Sequence, residues 1–112
     1  MTRRRPVAVY LESKTHALYS RLSEDDPFRK AIDKALDILK ENMFAGELIR
    51  KSLIPKYYIK NFGVNNLYRL RLDKKRRLCY TIVADEEGVK VVVLEVFPDH
   101  KSYSRRFGYK KD

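Results

Sequence analysis

The chain has 112 residues, enough for one domain with a single core and too few for two. Lys and Arg number 25 against 15 Asp and Glu, giving a formal charge of +10. Such a balance draws polyanions such as RNA, DNA or the ribosome, or an acidic protein segment, although excess lysine can also serve solubility alone. The single cysteine, Cys79, excludes an internal disulfide, and no CxxC or Cys/His spacing suggests zinc.

Residues 7–11, VAVYL, are β-branched and aromatic and predict a first strand. They are too few for a signal-peptide core or a membrane span, so a cytoplasmic protein is expected. Ala17, Leu18 and Leu22 fall at helical spacing and predict a brief helix near 14–22. In SEDDPF, Asp26 can cap the next turn while Pro27 takes the first helical position, where its missing N–H costs nothing. A helix over 27–43 follows, with Phe28, Ala31, Ile32, Ala35, Leu36, Leu39 and Met43 forming one apolar stripe. Gly46 breaks the pattern, and residues 47–65, with Pro55 and KYYIKNFGVNN, are expected to be a loop holding a short strand or helical turn.

From Leu67 onward three strands are predicted, 67–72, 77–84 and 89–97, separated by DKKR and DEEG turns. VKVVVLEVF is apolar on both faces and is expected at the centre of the sheet. The order predicts an α+β fold, an N-terminal strand and two helices packed on one face of a mainly antiparallel twisted sheet, with the other face open. A single domain over 1–112 is expected, with a basic N-terminal arm, 1–6, and a C-terminal tail, 98–112.

Alternation along the first hairpin turns Tyr68, Leu70 and Leu72 to the core and Arg69 and Arg71 to the opposite face. On the next strand Leu78, Tyr80 and Ile82 match the apolar row, leaving Arg77, Cys79 and Thr81 beside the arginines. Three guanidiniums on one sheet face repel each other, yet their planar forks suit phosphate. The bland alternative pairs one of them with Glu95 in a surface ion network of little energetic weight.

The tail, PDHKSYSRRFGY, adds His100, a proton carrier near neutral pH, with Lys101, Arg105 and Arg106 as charges. Tyr103 and Tyr109 can stack on a base or donate a hydrogen bond. Lys56, Tyr57 and Tyr58 form a second basic and aromatic group suited to single strands. No clustered carboxylates and no glycine-rich phosphate loop are present, so neither a metal nor a cofactor is expected.

NLYRLRL, RRLCYTIV, VKVVVLEVF and DHKSY, in this order, resemble the RelE/ParE superfamily of type II toxins, and the ending resembles the archaeal-type branch. The resemblance spans residues 7–105. It implies a toxin that cleaves mRNA, in RelE-like members at the ribosome, without a metal, and that is neutralised by an acidic antitoxin protein. Carried over singly, Arg69 and Arg71 match the basic pair of the first hairpin strand. Arg77 matches the arginine at the scissile phosphate, His100 a C-terminal histidine of some branches, and Tyr103 the terminal tyrosine. Lys56, Tyr58, Lys101 and Arg105 are the expected RNA contacts. Two other functions fit the same elements. One is a ParE-like poison of a protein target such as gyrase; the other is a stand-alone RNA or ribosome binder without chemistry.

Overall fold

Local signals set most of the elements. Asp26 accepts the Phe28 amide and Pro27 opens the long helix, as the sequence predicts. The computed structural model describes residues 4–108, so Tyr109 lies outside the described residues. In chain order the elements are β1 (Ala8–Leu11), α1 (Ser13–Arg21), α2 (Pro27–Glu41), β2 (Glu47–Leu48), a 3-10 turn (Lys51–Leu53), α3 (Lys56–Phe62), β3 (Tyr68–Arg71), β4 (Arg77–Asp85), β5 (Gly88–Phe97) and α4 (His100–Phe107).

Two segments differ in detail from the expected outline. Residues 47–65, expected as a loop holding a short strand or helical turn, hold both the two-residue β2 and the seven-residue α3, with Pro55 at the N-cap of α3. The expected tail is largely a helix, capped by Asp99, whose side chain accepts the Ser102 amide. Gly63 and Gly108 end α3 and α4 in the left-handed region, at φ 61° and 71°, where other residues are strained. No helix among the described residues is long and apolar enough to cross a membrane.

The five strands form one mixed sheet in the order β1-β5-β4-β3-β2, with β1 parallel to β5 and the remaining neighbours antiparallel. VKVVVLEVF therefore lies inside the sheet between β1 and β4, while β4 takes the middle position. On one face α2 packs Phe28, Ile32, Ala35 and Leu39 against Leu78, Tyr80, Val91, Val93 and Val96. Tyr68, Leu70, Leu72 and Ile82 flank this cluster, as alternation predicts.

The other face is not open. Tyr58 from α3 and Tyr103 from α4 join Ile49, Ile54, Leu67, Cys79, Leu94 and Phe97 in a second buried cluster. A one-face covering fails because β5 is apolar on both sides and needs a second layer. A register shift on β4 and β5 pairs Cys79 with Glu95 and Tyr80 with Val93, leaving Leu94 as the extra residue. This bulge lets Leu94 pack, and Glu95 hydrogen-bond, on the second face.

Candidate functional site

Register places the three hairpin arginines together. Arg71 is directly opposite Arg77, and Arg69 is opposite Cys79, so all three fall on the second face. Pairing of β2 with β3 then sets Glu47 opposite Arg69. With His100 and Tyr103 from α4, these residues line a cavity of about 220 Å³: Glu47, Arg69, Arg71, Arg77, His100 and Tyr103.

Within it, Arg69 Nη1 donates to the Tyr103 hydroxyl at 2.7 Å, and Arg69 Nη2 lies 3.1 Å from Glu47 Oε1. The bond to Tyr103, reinforced by Glu47, raises the Arg69 pKa above its ordinary value. The Tyr103 ring also sits beside Arg77, whose guanidinium carbon is 5.3 Å from the ring centroid. Phe97 meets Tyr103 edge-on and Phe107 stacks on it, at centroid distances of 5.3 and 4.5 Å. His100 Nδ1 is 3.2 Å from the Ser104 hydroxyl.

Arg77 corrects the expectation of three displayed guanidiniums. It shares their face, but it is only 8% exposed because β5 and Tyr103 cover it. Its Nη1 is buried without a hydrogen-bond partner among the described residues. A buried, unpartnered guanidinium N–H is costly unless an acceptor arrives. Arg71 is exposed, and Arg69 lies between the two extremes.

Of the expected RNA contacts, Lys56, Lys101 and Arg105 are exposed, whereas Tyr58 is fully buried and cannot stack on a base. The aromatic run at 57–58 starts a helix, which turns Tyr58 into the core. There its hydroxyl donates to Glu95 at 2.6 Å, and burial first of all pushes its pKa up. Burial likewise pushes up the Cys79 thiol. Glu95 pairs none of the hairpin arginines; it accepts Arg106 Nε at 2.8 Å and Arg106 Nη2 at 3.1 Å. Sequence reasoning misses Glu47, whose strand is two residues long, and the pairing of Arg106 with Glu95, which depends on α4 being a helix.

No protein-family model matches the chain, and no curated protein does. Among solved structures it is similar to a chain of the toxin–antitoxin complex RelBE2 from Mycobacterium tuberculosis. The two are 19% identical, with a TM-score of 0.56, over 87% of this chain and 95% of that one. The chain has a RelE-like fold. In this RelE-like fold the cationic cavity lies between the β3–β4 hairpin and the first turn of α4.

Proposed function

We propose that the protein is the toxin of a toxin–antitoxin pair and acts as a metal-independent endoribonuclease on mRNA at the ribosome. The observation that carries this is Arg77: a buried guanidinium lining the cavity, with one nitrogen lacking an acceptor, beside Arg69 and Arg71. A phosphodiester supplies the missing acceptor and the opposing charge. The likeness to a toxin–antitoxin complex supports the biological setting, and the charge of +10 supports a polyanionic substrate.

RNA brings its own nucleophile, so the protein has to hold the backbone in line and manage charge and protons. The 2′-oxygen forms a bond to phosphorus as the bond to the 5′-oxygen breaks, leaving a 2′,3′-cyclic phosphate and a 5′-hydroxyl. Arg69, Arg71 and Arg77 stabilise the charge that grows on the phosphoryl oxygens, and the sheet fixes them so that little reorganisation is needed. His100 or the Glu47 carboxylate accepts the 2′-hydroxyl proton, and Tyr103, polarised by the Arg69 bond, donates to the departing oxygen. Lys56, Lys101 and Arg105 give exposed charge for the flanking strand. An acidic antitoxin fits the apolar groove of Ala31, Ala35, Ile38, Leu70 and Leu72, which Lys34 and Arg71 border.

The test is to incubate the purified protein, in a chelator, with mRNA alone and with mRNA on programmed ribosomes. Expected products end in 2′,3′-cyclic phosphate, and Tyr103→Phe, which keeps the ring and removes the donor, slows their release about 100-fold. Intact mRNA with arrested gyrase supercoiling would establish the ParE-like alternative. Intact mRNA bound with steep salt dependence would establish a simple binder.

A further inference from the structure

Tyr103 lies three residues after His100, and Arg106 and Phe107 lie three and four residues after Tyr103, so one stripe of α4 meets the sheet. At the cavity end of this stripe are His100 and Tyr103; at the other end the Arg106 fork closes on both oxygens of Glu95. The same guanidinium lies 3.5 Å from the Tyr57 ring centroid, and the Tyr58 hydroxyl bonds Glu95 Oε1. Strand β5, α3 and α4 thus meet at a single carboxylate. The hydrogen bonds to Glu95 raise the Arg106 pKa above its ordinary value.

An eight-residue helix has little stability of its own and takes its orientation from its contacts. The ring contacts of Tyr103 and Phe107 hold α4 down, but apolar contact is non-directional. A bidentate fork is directional. We infer that Glu95 and Arg106 are positioning residues: their pairing fixes the roll of α4, and so holds the Tyr103 hydroxyl on Arg69 and His100 at the cavity. This rests on the nuclease reading given above. It differs from a role for Arg106 as one more RNA-binding cation, which would need the charge and not the fork.

The experiment uses the opposite charges of the two partners. Glu95→Gln removes an anion, Arg106→Lys keeps a cation without the fork, and the double variant combines them. Each single variant is expected to lower kcat about tenfold with KM for mRNA within about twofold, and the double variant to be no worse than the worse single. Amides of residues 100–107 should exchange faster in both single variants without RNA. Tyr58→Phe, which leaves the ring in the core, should give a smaller loss of the same kind and guards against a folding artefact. The inference is overturned if Arg106→Lys matches the parent in kcat, or if Glu95→Gln changes KM alone. Should the parent protein cut no RNA, the nuclease reading falls, and exchange in α4 decides the latch by itself: unchanged protection in both single variants rejects it.

Discussion

Against α1 and α2 the sheet turns Leu78, Tyr80, Val91, Val93 and Val96, whereas against α3 and α4 it turns Arg77, Cys79, Leu94, Glu95 and Phe97. The first face is closed almost wholly by apolar contact. Its main polar exception, the Tyr80 hydroxyl, donates to the Met43 carbonyl and accepts the Gly46 amide. The second face packs more aromatic rings but threads charge through them: Arg69 to Tyr103, Arg106 to Glu95, and Arg77 without a full set of partners. A satisfied apolar contact needs no further partner, while a buried polar group without one calls for an explanation. The first face therefore holds the fold, and the second carries the candidate site.

The largest expected effect breaks the first face. Leu39 is fully buried in the last turn of α2, and Leu39→Ala should cost about 2–5 kcal/mol in urea unfolding, by lost transfer energy and a residual cavity. RNA cleavage per folded molecule should stay near the parent level, because Leu39 belongs to the first-face cluster and does not line the cavity. A loss under about 1 kcal/mol would mean that this face repacks freely and that the contrast between the faces is overstated.

Arg77→Met sharpens the contrast from the other side. Methionine fills the space beside Tyr103 without leaving a buried guanidinium nitrogen unpartnered. Stability to urea should be unchanged or rise by about 1 kcal/mol, since replacing a poorly paired buried charge by an apolar side chain is often neutral or stabilising. Cleavage should fall on the order of 100-fold, the usual cost of one electrostatic donor. A variant that is both less stable and fully active would make Arg77 a structural residue and the cavity incidental.

How far the sequence foretold this division follows from the same two faces. The first was legible because its signals are local: the Asp26–Pro27 start, the stripe from Phe28 to Leu39, and the alternation of Tyr68, Leu70, Leu78, Tyr80 and Ile82. Alternation also brought Arg69, Arg71 and Arg77 to one face, which the register bears out. What covers that face was hidden. α3 and α4 have seven and eight residues, too short for a clear periodic pattern, and Pro55, which argues against a continuous helix through 47–65, stands at the start of one. Asp99 with Gly108 was a start and stop signal that could have revealed α4, and with it the burial of Arg77. Glu47 and the Glu95–Arg106 pair depend on strand register, a bulge and helix roll, which are settled only by tertiary packing.

The smallest expected effect appears at acid pH and falls on the second face. The Ser102 amide donates to Asp99 Oδ1 at 2.7 Å at the start of α4 and holds this carboxyl below the usual carboxylate range. A group depressed in the folded state stabilises above its unfolded value, about 3.9, and that contribution is lost as pH falls through the folded value. Acidification should therefore uncap α4, while α2 keeps its long apolar stripe in the first-face core. Amides of residues 100–107 should lose protection as pH falls below about 3.9, the unfolded value, after correction for intrinsic exchange, with those of α2 retained. Asp99→Ala should bring the same local loss near neutral pH, because alanine cannot accept the Ser102 amide. If both helices lost protection together along the pH series, the two faces would open as one cooperative unit, and the cap of α4 would have no separate influence on the cavity beside it.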